Sequence, residues 1–249
     1  MGVAFKDFRT GETFSVNGDR LVPAASVIKV PVMVAVFKEA EAGRIKLNGK
    51  IVLHGGDKLG GSGTLRHARP GTSFTVRQLM HSMIGKSDNT ATYLLVQKIG
   101  KARVNSYLHA LGFSRTHLED ATCLVHDADD WVNVTTPAEM NRLMELIARN
   151  KAATPASCRE MVAILRDQKY QWGIPAVLPS RSMAANKTGF LDTVLNDTAI
   201  VKTGQGTYVL SVFVSRIPDM IHERDMIREV SREVYRSFAS AGESSRAER

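Results

Sequence analysis

Several things are scarce in this chain of 249 residues, and each shortage removes a class of function. Its two cysteines, Cys123 and Cys158, are too few and too far apart for a disulfide framework or a thiolate metal site, so free thiols are expected. Its seven histidines never fall in an H-E-x-x-H or similar ligand spacing, so no metal and no cofactor is expected. No apolar run reaches the roughly 18 to 20 residues that cross a bilayer, which excludes a stable membrane span. The opening "MGVAFKDFRTGETF" has no charged region followed by an apolar one, and no small-residue cleavage site, so it does not read as a signal peptide. A chain already relieved of a leader reads the same way.

The formal net charge is +8, yet the lysines and arginines are scattered along the chain, which suits a generally cationic surface and no nucleic-acid partner. Residues 54 to 73, "HGGDKLGGSGTLRHARPGTS", hold six glycines without a following Gly-Lys-Ser/Thr, so they are not a phosphate loop. A loop of that length in a compact domain is usually functional. What remains is ordinary: 43% hydrophobic and 23% charged residues, enough to bury a real core.

Periodicity then orders the chain. Two short strands are expected at 3–8 and 11–16 around the turn "RTGE", followed by a long buried helix starting near Ser26. From Thr75 the pattern is helical in "TVRQLMHSMIGK", "NTATYLLVQKIG" and "KARVNSYLHALG". An irregular stretch from Glu119 to Thr135 precedes "TPAEMNRLMELIARN", where Thr136, Pro137 and Glu139 read as a capping box with a structural glutamate. After a helix near 155–167, "SMAANKTG", "DTAIVKTG" and "TYVLSVFVSR" read as strands. An amphipathic helix over 221–240 and a disordered tail, "SAGESSRAER", end the chain. This order predicts an α+β fold whose one sheet is made from both chain ends, with an all-α lobe inserted and a cleft between.

One residue interrupts the buried helix. From Val27 to Phe37 only Lys29 and Pro31 are not apolar, so the helix has no face for water and Lys29 must be buried. A buried ammonium costs several kcal/mol unless it is paired or gives up its proton. Three residues back is Ser26, on the same helix face. A desolvated amine there can take the proton of the serine hydroxyl and make it a nucleophile. S-x-x-K alone is weak evidence, expected about once by chance in a chain of this size.

Two tripeptides change that. "SDN" (Ser87 to Asn89) falls between two helices and "KTG" (Lys187 to Gly189) ends a strand. Each is expected by chance in only a few per cent of such chains, so their joint presence is roughly a one-in-a-thousand event. K-T-G occurs again at Lys202 to Gly204, where "VKTGQGTY" reads as a hairpin turn, so the first copy is the functional one.

S-x-x-K, S-D-N and K-T-G in this order resemble class A β-lactamases and penicillin-binding proteins. "GGSGTLRH", "TVRQLMHSMIGKSDNTATYLL", "LGF" and "VTTPAEM" extend that resemblance over nearly the whole chain. It implies a five-stranded antiparallel sheet covered by terminal helices, residues 1–23 plus 183–249, with an all-α lobe at 24–182. It also implies Ser26 as nucleophile, Lys29 as its base, and Ser87 as proton relay to the leaving nitrogen. By the same resemblance Asn89 holds the substrate amide and orders Lys29, while Lys187, Thr188 and Gly189 meet the substrate carboxylate. The backbone N–H groups of Ser26 and Phe190 then form an oxyanion hole, and Asp88 folds the loop. The implied partner is a small-molecule β-lactam or a D-alanyl-D-alanine peptide, and the implied protein is a monomer, periplasmic or secreted. Without a leader pattern in these residues a cytoplasmic place stays open.

Four departures accompany the resemblance. The family has a helix before its first strand, whereas these residues open directly on the strand, so either the fold tolerates its loss or the N-terminus is truncated. The family's E-x-x-L-N, whose glutamate activates the deacylating water, is missing, and an ungapped match puts Thr122 in its place. Nearby acids and a histidine are Glu119, Asp120, His126, Asp127, Asp129 and Asp130, of which Glu119 is the candidate base. Phe190 stands where the family has a small residue, and no arginine is obviously placed for a substrate carboxylate. The expected activity is β-lactam hydrolysis with slow deacylation. A D-alanyl-D-alanine peptidase, and a sensor that acylates once, are the alternatives.

Overall fold

The computed structural model describes residues 1–122, 132–192, 194–215 and 220–247, with side chains on the last helix from 221 to 241. Chain order begins with β1 (Gly2–Asp7), β2 (Thr13–Val16) and β3 (Val22–Pro23), then a 3-10 turn at Ala25–Ile28 leading into α1 (Lys29–Glu41). The middle carries β4 (Lys50–Val52), β5 (Ser73–Thr75), α2 (Val76–Gly85), α3 (Asn89–Ile99) and α4 (Lys101–Ala110). After β6 (Val134–Thr135) come α5 (Pro137–Ala148) and α6 (Pro155–Arg166). The chain closes with β7 (Met183–Leu191), β8 (Val194–Thr203), β9 (Gly206–Ser215) and α7 (Met220–Ala247).

The main sheet runs β2-β1-β9-β8-β7, antiparallel throughout, so the first and last strands of the chain meet in one sheet. Its central strand β9 is largely apolar on both faces because both are covered, whereas the edge strand β2 is exposed. Along β9, Tyr208, Leu210, Val212 and Val214 join Ile227 and Phe238 of α7 in one core. Val209 and Phe213, pointing the other way, join the core of the helical block. α1 lies at the centre of that block, with Val27 through Phe37 buried as the apolar run requires.

Two local expectations are corrected. Glu139 is structural, but its carboxylate does not return to Thr136. It accepts the N–H groups of Ser114, Arg115 and Thr116 and so pins the loop after α4, while Thr136 Oγ1 alone caps α5. The segment read as a disordered tail continues α7 to Ala247, since extending an existing helix adds one hydrogen bond for each residue fixed. The second K-T-G turns the chain between β8 and β9, with Thr203 Oγ1 accepting the Gln205 N–H at 3.0 Å.

Candidate active site

Ser26 sits in the 3-10 turn before α1, and Lys29 is the first residue of α1. In a 3-10 turn residues three apart eclipse one another, which aligns the two side chains more closely than an α-helix would. Lys29 is fully buried, and its Nζ lies 3.1 Å from Ser26 Oγ. It also lies 2.7 Å from the Ser87 carbonyl oxygen and 2.7 Å from Asn89 Oδ1. Those two oxygens can only accept, so they take two N–H groups in any protonation state. The direction toward the Ser26 hydroxyl can donate from an ammonium or accept as an amine. A proton can therefore pass between Ser26 Oγ and Lys29 Nζ without disturbing the other bonds. Ala25, just before the nucleophile, holds φ at +47°, a backbone strain of about 1–3 kcal/mol that only surrounding packing sustains.

The S-D-N turn joins α2 to α3. Ser87 also takes a left-handed backbone, φ +53°, and its Oγ lies 3.2 Å from Lys29 Nζ and 3.2 Å from Lys187 Nζ. Asp88 is the N-cap of α3: its carboxylate accepts the N–H groups of Ala91, Thr64 and Leu65. It thereby ties the glycine-rich loop to the turn, and a Cβ on Gly63 would sit 2.2 Å from the Asp88 carboxyl carbon. Asn89 gives Oδ1 to Lys29 and donates Nδ2 to Gly60 O at 3.1 Å.

β7 supplies the opposite side. Lys187 is fully buried, and its Nζ donates to Thr188 O at 2.7 Å. A Cβ on Gly189 would lie 3.1 Å from Ala24 O and 3.2 Å from Ser26 N, so glycine lets the strand press against the turn that carries the nucleophile. Asn196 on β8 fastens the same turn by donating to Pro23 O and Ala24 O.

These parts open on a cleft of about 290 Å³ lined by Ser26, Ser62, Ser87, Tyr170, Trp172, Thr188, Phe190 and Arg224. Phe190 is 47% exposed and walls the cleft. Arg224, Tyr170 and Trp172 were not singled out from the sequence. Arg224 reaches the cleft from α7, with its guanidinium carbon 5.5 Å from the Trp172 ring centroid. Only its positive charge on an amphipathic helix was legible in advance. A larger groove of about 870 Å³, lined by Phe74, His81, Lys86 and Asp167 among others, contains none of the three motifs' residues.

The stretch before β6 places Glu119 elsewhere. Its side chain is 54% exposed and paired with Lys101 at 2.6 Å and His117 at 3.2 Å, which holds its carboxyl below the usual glutamate range. Thr122 bonds through its hydroxyl to the Asp120 carboxylate. Cys123, His126, Asp127, Asp129 and Asp130 lie outside the described residues, whereas Cys158 is a buried free thiol whose burial pushes it up. No group of metal-ligating side chains occurs among the described residues, and no helix among them is long and apolar enough to cross a membrane.

A family model described as "Beta-lactamase enzyme family" matches residues 1–238. Beta-lactamase VEB-1 of Pseudomonas aeruginosa is 26% identical over 232 residues, 86% of this chain and 77% of that protein. A beta-lactamase structure from Sphaerobacter thermophilus matches with TM-score 0.91 at 32% identity, covering 96% of this chain and 91% of the other. A point mutant of PBP-A, solved as an acyl-enzyme complex with penicillin G, matches with TM-score 0.89 at 30% identity, covering 96% and 90%.

Proposed function

The chain belongs to the beta-lactamase enzyme family, as a serine hydrolase of class A type acting on β-lactams, and we propose that its acyl-enzyme forms on Ser26. The observation that carries this assignment is the buried Lys29 Nζ, 3.1 Å from Ser26 Oγ and held by two oxygens that can only accept. Lys29 takes the Ser26 proton, directly or through a water, as Oγ attacks the lactam carbonyl. The oxyanion is met by the backbone N–H groups of Ser26 and Phe190, each such donor typically worth about 3 kcal/mol in the transition state. The close packing of Gly189 on the Ser26 nitrogen supports that pairing. Ser87 Oγ passes a proton to the ring nitrogen as the C–N bond breaks and is reprotonated from the lysines beside it. Lys187, Thr188 and Arg224 receive the substrate carboxylate, and Asn89 the side-chain amide.

Deacylation is the slow half of this cycle. The residues lining the described cleft include no carboxylate, and the pairing of Glu119 with Lys101 and His117 turns it to other work. The same feature favours a second reading, a D-alanyl-D-alanine peptidase that acylates readily and releases β-lactams slowly. The division into a lobe of 1–23 plus 183–249 and one of 24–182, a monomeric state and a periplasmic or secreted place belong to the proposal.

The test is a time course with a chromogenic cephalosporin followed by intact mass spectrometry. Continuous colour with unmodified protein at the end establishes efficient hydrolysis. A burst of about one equivalent with a lasting adduct favours the peptidase, and label on a serine other than Ser26 overturns the assignment.

A further inference from the structure

Behind the K-T-G strand sits a carboxylate that the proposed cycle does not use. Asp197, on β8 opposite Thr188, is fully buried. Its Oδ2 accepts the Ile174 N–H at 2.8 Å, and its Oδ1 accepts Asn186 Nδ2 at 3.0 Å. Asn186 immediately precedes Lys187, and Ile174 opens a 3-10 turn two residues after Trp172 of the cleft wall. Between them, a Cβ on Gly173 would lie 2.4 Å from Asp197 Oδ2, so glycine is what lets the carboxylate reach the backbone. From α7, Arg228 Nε donates to Trp172 O at 2.8 Å and Ser231 Oγ to Ile174 O at 2.9 Å. Asp197 is thus the link between the aromatic wall and β7.

We propose that Asp197 is a positioning residue that holds the Tyr170 to Trp172 wall against the K-T-G strand, so that gain or loss of its proton changes how tightly the cleft grips a β-lactam. The inference rests on reading that cleft as the substrate site. Burial pushes the Asp197 carboxyl up to about 7, against the opposing pull of Asn186, the Ile174 N–H and the charge of Lys187. The other titratable or charged groups on elements packed around it are Lys202 on β8, Tyr208 on β9, and His222, Glu223, Arg224, Asp225 and Arg228 on the first turns of α7. The acid form has a place for its proton. Asn186 Oδ1 is buried without a hydrogen-bond partner among the described residues, and turning that amide over presents the oxygen to the Asp197 hydroxyl. The Ile174 bond then runs to a neutral acceptor, and such a bond is roughly half as strong as one to a carboxylate. The wall is held more firmly above about pH 7 than below it.

The test separates binding from chemistry by stopped-flow acylation with a chromogenic cephalosporin between about pH 6 and 8. In the wild type the noncovalent dissociation constant should fall about threefold to tenfold across that range. In the Asp197→Asn variant it should stay at the acid-side value, with the acylation rate constant within about twofold of wild type at each pH. The same pH dependence of binding in both proteins overturns the proposal, as does a variant changed only in acylation rate. A second readout needs no activity: in a Trp131→Phe background, Trp172 fluorescence of the free protein should titrate near pH 7 with Asp197 and not with the Asp197→Asn change. Absence of that titration in both sinks the proton-coupled wall, whereas loss of acylation with the titration intact would count only against the substrate-site reading.

Discussion

Lys29 and Lys187 both place their side-chain nitrogen 3.2 Å from a single atom, the Ser87 hydroxyl oxygen. One lysine opens the helix that follows the nucleophile's 3-10 turn and the other comes from the edge strand of the sheet, so Ser87 stands where the helical block and the sheet meet. The strained left-handed backbone of Ser87 is what turns its hydroxyl into that gap.

Removing the nucleophile is the first prediction. Ser26→Ala should abolish covalent labelling by a fluorescent penicillin while leaving the thermal midpoint nearly unchanged, because Ser26 is only partly buried. Retained labelling in a denaturing gel would show that another serine reacts.

Removing the base should be costlier than removing a contact. Lys29→Ala is expected to slow acylation by about 10²- to 10⁴-fold, the usual contribution of a positioned general base. It also strands Asn89 Oδ1 and the Ser87 carbonyl in a buried space, so the protein should lose stability as well. Stopped-flow acylation and thermal melting read the two effects separately.

Gly189→Ala tests the contact between strand and nucleophile turn. The added methyl would meet backbone oxygen at 3.1 Å and must push β7 outward. The shift needed is a few tenths of an ångström, so acylation should slow by less than the roughly 10²-fold that a 1 Å misplacement costs. An acylation rate within a factor of two of wild type would show that the turn yields instead.

Arg224→Ala should weaken noncovalent binding of a carboxylate-bearing cephalosporin about 10- to 100-fold with little change in the acylation rate constant, as expected for a lost charge-assisted hydrogen bond. Arg224→Lys should recover part of the loss. A substrate analogue esterified at that carboxylate should bind the wild type and Arg224→Ala equally, and a difference between them would argue for a packing role over Trp172.

Asp197 also predicts how stability depends on pH. Its folded pKa, raised to about 7 from the model-peptide range near 4, means that the folded state binds this proton more tightly than the unfolded chain. The contribution is present in full below about pH 4 and is lost as pH rises to about 7, up to about 4 kcal/mol in order of magnitude. Chemical denaturation should show Asp197→Asn more stable than wild type at about pH 8 and the gap closing toward about pH 4. Equal stabilities across that range would contradict the raised carboxyl.

The reading from sequence went furthest where the determining interaction is local. Strand alternation, the apolar run of α1 and the Thr136 cap of α5 depend on neighbours within a few residues, and they appear close to where the pattern predicts them. Lys29 was legible because a charge inside a run with no polar face has to be buried. Glu139 shows the limit: its type and place were right for a cap, but its carboxylate found the N–H groups of 114–116, brought near only when the loop after α4 folds onto the first turn of α5.

What the sequence by itself determined, then, was the order of the main helices and strands, without the small pairs β3-β6 and β4-β5, the sheet formed from both chain ends and three short motifs whose chemistry lies in their own residues. The tertiary structure decided the rest of the cleft. Arg224 reaches Trp172 because α7 folds back over the sheet, and Asp197 finds Asn186 across a strand pair and Ile174 on a separate turn. Glu119 is drawn to Lys101 and His117 instead. Periodicity reports which face of an element is buried, but hydrogen bonds and ion pairs are made over about 3 Å, a distance set by how those faces pack together.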